Sequence, residues 1–224
     1  MLNLQSKFGL KMLAIGNWIA AIVTINLVWF MITLPVLIML VLALSLPMNA
    51  VYGITILVTW IMLTAFTVPA TSAVYQTVDL WQRTDSGSFI KITWLSYLKA
   101  LTNWRFNGLV ALVIGCWLTI LRVTTDNVVL HVATLVIGTV LLALWNGKNY
   151  SQAINQRFLE LVVAHPFKLL LSAIIMIGLF AINLELRLIF FILLFSMSLS
   201  ALITCRLFNS YTKTDKEEEL TEKN

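Results

Sequence analysis

Few side chains in this sequence have types and spacings that would support acid–base, metal or nucleophilic chemistry. The two histidines, His131 and His165, lie far apart, and neither has a cysteine, carboxylate or second histidine at a ligand spacing. Both cysteines, Cys116 and Cys205, sit inside apolar stretches, where a thiol packs as a small hydrophobic group. We therefore predict no metal, no cofactor and no disulfide, and structural or interfacial roles for both histidines.

The dipeptide Gly147-Lys148 resembles the end of a phosphate-binding loop, but the rest of that motif is missing. Asn149 follows where serine or threonine is needed, and Leu142 occupies the place of the first glycine. The paired carboxylates or Ser/His sets that a membrane-embedded enzyme would use are also missing. The sequence therefore predicts a protein that is not an enzyme.

The composition indicates which solvent the chain folds in. Of its 224 residues, 60% are hydrophobic and only 11% are charged. A chain of this size cannot bury so much apolar surface in a water-soluble core, so a soluble enzyme is excluded. The net charge of +5 does not indicate nucleic-acid binding, because the basic residues are spread between apolar runs instead of forming one stripe. The sequence predicts a multi-pass membrane protein with no nucleic-acid partner.

Six apolar runs are predicted to cross the hydrocarbon core, which is ~30 Å thick. They extend about from Trp18 to Leu46, Ala50 to Val78, Phe106 to Leu121, Val128 to Trp145, Phe167 to Leu184 and Leu188 to Phe208. The first is too long for the hydrophobic region of a cleaved signal peptide, so we expect a retained anchor. We predict an all-α membrane domain over residues 1–208 and a disordered charged cytoplasmic tail over residues 209–224.

Prolines interrupt the first two runs at Pro35 and Pro69. Because proline cannot donate a backbone hydrogen bond, each helix should kink there. Asn26 and Thr33 are expected to satisfy groups freed by Pro35, and nearby threonine and serine hydroxyls to do so around Pro69. Such kinks occur in discontinuous transport helices and also in helices that only pack, so a gating role stays open.

Two polar linkers are predicted to carry amphipathic helices. Between Phe89 and Trp104, apolar and aromatic residues recur every three or four positions, with Lys91, Lys99 and Asn103 on the other side. We expect this helix to lie in the membrane interface with its aromatic rings at headgroup depth. A second, shorter amphipathic helix is expected from about Ser151 to Ala164.

Lysine and arginine are distributed unevenly around the six runs. With six spans, 13 of the 15 fall on one side, and only Arg122 and Arg187 fall on the other. The positive-inside rule then places both termini and both linkers in the cytoplasm. The eight tryptophans mostly lie near predicted span ends, which favours an aromatic belt over sugar-stacking platforms.

Several short segments are similar to a known group of membrane proteins. They are Asn26-Leu27-Val28-Trp29 with Leu34-Pro35, Pro69-Ala70 with Ala73, Trp81, the aromatic helix from Phe89 to about Phe106, Arg157-Phe158, and Ala164-His165-Pro166-Phe167-Lys168. Over about residues 10–208 the chain resembles the YesL-like family of uncharacterised bacterial integral membrane proteins. Members typically occur with genes for complex-carbohydrate uptake and breakdown in Gram-positive bacteria. The resemblance implies a plasma-membrane protein that works beside a sugar importer.

From this resemblance we expect a non-catalytic auxiliary subunit of a carbohydrate ABC importer. It would pack beside the permease subunits and support assembly or sugar uptake. It is not expected to be the permease, because neither linker has a Glu-Ala-Ala-type coupling segment with its following glycine. The alternative is a stand-alone small-solute channel or transporter, which would need a polar path through spans that offer only Thr, Ser and Asn.

Two sets of residues are the candidate sites. The partner-packing set comprises Pro69, Ala70, Ser72, Ala73, Trp81, Trp94 and Tyr97. The set for cytoplasmic contacts with lipid or a partner comprises Arg83, Lys91, Lys99, Arg105, Arg157 and Lys168. The kink at Pro69 and the aromatic helix are expected to form a rigid bracket under the permease. Leucine at positions 70 and 73 should then weaken permease binding while the protein stays inserted.

Overall fold

The computed structural model describes residues 7–84, 88–185 and 192–221, and all regular elements within these ranges are helices. They are α1 (Lys7–Ser45), α2 (Ala50–Met62), a π-helical turn (Leu63–Thr67), α3 (Val68–Thr84), α4 (Phe89–Leu101), α5 (Trp104–Val123), α6 (Val128–Ala153), α7 (Phe158–Ala164), α8 (Pro166–Glu185), a second π-helical turn (Ile192–Ser196) and α9 (Met197–Thr221). The predicted all-α fold class is confirmed.

Five helical stretches are long and apolar enough to cross a membrane. They are Lys11–Ser45, Ala50–Arg83, Trp104–Val123, Val128–Ala153 and Pro166–Asn183. A shorter apolar helix, Leu194–Asn209, lies in the predicted sixth run, whose first residues fall outside the described ranges. The multi-pass membrane architecture is therefore confirmed, whereas the count of six spans and the cytoplasmic termini stay predictions. The division into a domain over residues 1–208 and a disordered tail also stays a prediction; the backbone of α9 is helical to Thr221.

The end of α5 lies beside the connection between α1 and α2, and we call this end of the bundle the hairpin end. At the hairpin end, the Arg122 guanidinium of α5 donates to the carbonyls of Ala43 and Leu46 and lies 4.9 Å from the Tyr52 ring centroid. We call the other end the basic end, because the turns after α3 and α6 bring most of the linker lysines and arginines there.

Helix α3 is the centre of the bundle and packs against α1, α4, α6 and α9. Its side chains Ala70, Ala73, Val74 and Val78 are each 1% exposed or less. Small side chains allow backbones to approach closely, which is how helices associate in a membrane without hydrophobic gain from water. The alanines of α3 therefore serve packing within this chain.

The distortion predicted at Pro69 is a π-helical turn, Leu63–Thr67, immediately before α3. Proline cannot donate to Ala65 O, four residues earlier, and the Tyr97 hydroxyl of α4 donates to that carbonyl at 3.0 Å. Burial raises the pKa of Tyr97 above its ordinary value, so its hydroxyl keeps the proton that it donates. Helix α4 thus satisfies the carbonyl that Pro69 leaves free.

At Pro35, the assignment of partners from the sequence was wrong. Helix α1 continues through Pro35, and the Thr33 hydroxyl donates to Trp29 O at 2.9 Å, as a helical threonine commonly does. The Oδ1 of Asn26 accepts hydrogen bonds from the backbone at the start of α9. Its partner is therefore distant in sequence.

Helix α4 differs from the predicted interfacial helix in its length and in its buried face. It ends at Leu101, and it doubles back along α3, where Trp81 and Phe89 rings meet edge to face at 6.2 Å. Its buried residues are Thr93, Tyr97 and Ala100, whereas the sequence grouped Tyr97 with the outward apolar stripe. The hydrogen bond from Tyr97 to Ala65 O, in the π-helical turn before α3, lies on this buried face.

The second linker also differs from its prediction. Helix α6 continues to Ala153 instead of ending near Trp145, and only the seven residues of α7 form the expected amphipathic helix. The break occurs because Asn155 adopts a left-handed conformation with φ of 57°, and Gln156 N donates to Ser151 O at 2.9 Å. This is a Schellman-type ending, for which asparagine is a common substitute for glycine.

Candidate functional site

A groove of about 840 Å³ lies between α5 and α6 and extends to α7 and α8. We call it the lateral groove. Its lining is almost entirely apolar, with Leu109 and Val113 from α5, Leu135 and Leu142 from α6, and Ile177 from α8. Its lining residues Leu109 and Leu135 are exposed on the surface of two candidate membrane spans, so lipid can reach the groove from the side.

Trp117 and Gly138 bring α5 and α6 together on the hairpin side of the groove. The Trp117 indole lies against Gly138, where a β-carbon would overlap the ring, and its Nε1 donates to Thr134 O at 2.8 Å. Glycine is required at this position because it is the only residue that leaves room for the indole.

Toward the basic end, α5 and α6 are bound to different parts of the bundle. Trp60 Nε1 of α2 donates to Gly108 O of α5 at 3.0 Å. Ser72 Oγ of α3 donates to Asn149 Oδ1 of α6 at 2.6 Å. These separate attachments explain why a groove is left between the two helices.

Lys148 marks the basic end of the groove and was missed as a site residue by the sequence analysis. Its Nζ is 5.7 Å from the ring centroids of both Phe106 and Phe158, which also line the groove. Neither of the two ion pairs among the described residues involves Lys148. Trp145, three residues earlier, also lines the groove, and its buried Nε1 has no hydrogen-bond partner among the described residues.

A smaller polar cavity of about 190 Å³ lies between α3, α4, α5 and α6 near the basic end. Its polar lining residues are Ser72, Gln76, Lys99, Asn103, Asn107 and Gln152. The Asn107 amide already donates to Ala100 O at 3.0 Å, which joins α5 to α4. The remaining amides and the ammonium can hydrogen-bond a small polar molecule, but the lining contains no acid–base pair.

A network of polar side chains that the sequence analysis also missed joins α3, α6 and α9 at the basic end. The Tyr150 hydroxyl donates to Asn209 Oδ1 at 2.9 Å, and Asn209 Nδ2 donates to Gln82 Oε1 at 3.1 Å. Nearby on α3, Asp79 is 4% exposed and forms an ion pair with Arg83 at 3.0 Å. These contacts hold the last helix against α3.

The remaining reactive residues are dispersed. His131 lies by the Thr124 hydroxyl at the hairpin end, whereas His165 lies against Phe208 at the basic end. Cys116 is exposed and Cys205 is buried. Within the described ranges, no three potential metal-ligating side chains are clustered.

Most of the predicted partner-packing residues lie inside the chain. Pro69, Ala70, Ser72 and Ala73 are buried, because α3 is surrounded by the protein's own helices. Trp81 packs on Phe89, and Tyr97 is 6% exposed. Only Trp94 presents a large exposed surface, with 49% of its side chain accessible. Of the predicted partner-packing residues, Trp94 is therefore the one whose side chain is available to a partner.

The six predicted lipid or partner contacts occupy varied environments. Lys91, Lys99 and Arg105 are exposed, and Arg105 lies 5.9 Å from the Trp104 ring centroid. Arg83 and Arg157 are exposed but engaged in ion pairs with Asp79 and Glu160. Lys168 is partly buried, with its Nζ 5.8 Å from the Phe208 ring centroid.

Lipid contact follows from the apolar outer surfaces of the spanning helices. A comparison with known proteins adds no further identification: no protein-family model, no curated protein and no solved structure matches this chain.

Proposed function

We propose that the protein is a non-catalytic auxiliary subunit of a carbohydrate ABC importer in the plasma membrane. It packs beside the permease subunits and supports their assembly or sugar uptake. The resemblance to the YesL-like family supports the link to carbohydrate import, and the outward face of α4 supports the packing role.

The outward face of α4 consists of Ile90, Trp94, Leu95 and Leu98, which are 59%, 49%, 54% and 45% exposed. Helix α4 has 13 residues and is therefore about 20 Å long, too short to cross a hydrocarbon core of ~30 Å. Because α4 packs along α3, which is part of the spanning stretch Ala50–Arg83, this apolar face lies beside a membrane span, where a partner helix can cover it in place of lipid.

Contacts with the rest of the bundle fix the position of α4, which suits it to act as a docking element. Tyr97 bonds to Ala65 O, Phe89 packs on Trp81, and the Asn107 amide bonds to Ala100 O. A rigid surface loses little entropy when it binds, and exposed tryptophan is enriched among residues that dominate binding energy. With the basic end in the cytoplasm, α4 would meet the permease at its cytoplasmic side.

Replacing Trp94 and Leu98 with alanine is expected to release the permease. Loss of two central contacts should reduce co-purified permease roughly tenfold or more. The measurement is quantitative mass spectrometry of carbohydrate permease subunits recovered with the tagged protein in mild detergent. The matched control is alanine at Ile54 and Leu57, which are 65% and 55% exposed on α2, and it should retain the permease.

Two results would contradict the proposal. The first is recovery of the wild-type protein without any carbohydrate permease subunit. The second is full retention of the permease by the α4 variant, which would move the contact to another surface of the subunit.

A second candidate function, a stand-alone small-solute channel or transporter, is favoured by Asn146 of α6. Both polar atoms of its amide are buried without a hydrogen-bond partner among the described residues, and the side chain is 0% exposed. An unsatisfied buried amide costs roughly 1–3 kcal/mol, which a polar path would relieve. Flux of small solutes into liposomes that contain only this protein, abolished by Asn146→Leu, would establish that function.

A further inference from the structure

We propose that the lateral groove binds one anionic phospholipid, with an acyl chain between α5 and α6 and its phosphate at Lys148. This inference does not depend on the proposed importer partner. It assigns a ligand to the groove and a role to Lys148.

The apolar part of the groove suits a hydrocarbon chain. Leu109 and Val113 line one side and Leu135 and Leu142 line the other, along two helices that are long enough to span a membrane. Water is a poor occupant of such a space, because it would find almost no hydrogen-bond partners there. The surrounding lipid supplies acyl chains at this depth.

The basic end of the groove provides the complementary charge for a phosphate. The Lys148 ammonium lies between the rings of Phe106 and Phe158, which hold it at the groove and keep water from surrounding it. An ammonium in such a partly apolar setting attracts an anion more strongly than one in bulk water. Cationic pockets between spanning helices are known binding sites for anionic lipid headgroups.

Two further cationic residues are adjacent in sequence to the phenylalanines at the basic end of the groove. Arg105 directly precedes Phe106, and Arg157 directly precedes Phe158. Consecutive Cα atoms are about 3.8 Å apart, so each arginine backbone is next to the backbone of a phenylalanine whose ring contacts Lys148. Both arginine side chains are exposed; Arg105 adds positive potential around a headgroup, whereas Arg157 is paired with Glu160 at 3.4 Å and adds less.

Trp145 provides a donor at the depth of the lipid's ester groups. It precedes Lys148 by three residues on α6, so it lies about 4.5 Å deeper along the helix and on the same side. Its Nε1 is buried in a residue that lines the groove and has no partner among the described residues. A phospholipid places an ester carbonyl below its phosphate; because Nε1 is buried, donation to that carbonyl requires the indole to turn toward the groove.

A protein helix fits the groove less well than a phospholipid does. A second copy of this chain, or the spanning helix of another protein, would press apolar side chains against Lys148 and Trp145 Nε1. Burying an ammonium without an anionic partner is costly, whereas a phosphate satisfies it. The combination of an apolar groove with one cation at its end therefore selects an anionic amphiphile.

The test uses the full-length protein, delipidated in mild detergent and titrated with phosphatidylglycerol or phosphatidylcholine of identical acyl chains. Native mass spectrometry counts the bound lipids. The wild-type protein should bind one phosphatidylglycerol in preference to phosphatidylcholine. Lys148→Gln should weaken phosphatidylglycerol binding roughly tenfold or more, and Lys148→Arg should retain it.

Matched controls separate this site from general attraction to anionic lipid. Lys91→Gln removes an exposed lysine from α4 and should leave the preferred phosphatidylglycerol in place. Trp145→Phe keeps an aromatic ring at this position but removes the indole N–H, so it should weaken binding of both lipids. Val113→Trp fills the groove and should exclude both lipids.

Equal binding of the two lipids by the wild-type protein would overturn the proposal, and this result needs no variant. Unchanged phosphatidylglycerol binding by a folded Lys148→Gln protein would also overturn it. Recovery of a lipid-free dimer or hetero-complex, cross-linked through cysteines introduced at Val113 or Leu142, would overturn the proposal and identify the occupant as a protein helix.

Discussion

Replacement of Asn26 by leucine is expected to lower the free energy of unfolding by roughly 2–5 kcal/mol. Asn26 is 0% exposed, and its Oδ1 accepts hydrogen bonds from Met197 N and Ser198 N, both at 2.9 Å. These two N–H groups begin α9, directly after a π-helical turn. Leucine would leave both without their acceptor in a membrane interior, where water cannot replace it.

The measurement for Asn26→Leu is a titration of the purified protein with sodium dodecyl sulfate in mixed micelles, followed by loss of tertiary contacts. Thr33→Val is the matched control, because Thr33 is also fully buried on α1 but its hydroxyl bonds to carbonyls of its own helix, Trp29 O and Phe30 O. Thr33→Val should lower the free energy of unfolding by less than about 1 kcal/mol. Equal stability of the two variants would show that Asn26 does not hold α9.

Most of the helices were predictable from sequence because the signals that define them are local. Run length and hydropathy are enough to place α1, α5 and α8, and Pro69 is enough to place the distortion before α3. The end of α6 was not predictable in this way. Hydropathy falls after Trp145, yet the helix continues to Ala153, where Asn149 bonds to Ser72 of α3 and Tyr150 bonds to Asn209 of α9.

The buried face of α4 could not be read from its periodicity. Tyr97 belongs to the aromatic stripe of the sequence, but its hydroxyl satisfies the Ala65 carbonyl that Pro69 leaves free. The two groups are 32 residues apart in the chain. A pattern within one helix holds no information about such a partner, and so the sequence assigned Tyr97 to the outer surface.

The lateral groove could not be predicted from the sequence for a related reason. Lys148 drew attention only as part of an incomplete phosphate-binding loop. Its environment is made by Phe106 and Phe158, which belong to two different helices. The repeated Arg-Phe pairs at residues 105–106 and 157–158 are the only local trace of this arrangement, and their meaning depends on the packing of α5 against α6 and α7.

Leucine at both Ala70 and Ala73 is expected to destabilise the protein itself, in contrast to the expectation from sequence that it would stay inserted and lose only its partner. The two alanines are 1% and 0% exposed on α3, the central helix of the bundle. Each added side chain must displace packed neighbours, at a cost of roughly 1–3 kcal/mol per site. The same detergent titration, on protein purified without any partner, measures this loss.

Comparison with the Trp94→Ala, Leu98→Ala double variant distinguishes a loss of packing inside the protein from a loss of binding to the permease. Its side chains lie on the outward face of α4, so its unfolding should match the wild type while its permease recovery falls. The Ala70 and Ala73 variant should lose stability even when no permease is present. If it instead unfolds like the wild type and still loses the permease, then α3 provides the partner surface, and the role proposed for α4 is wrong.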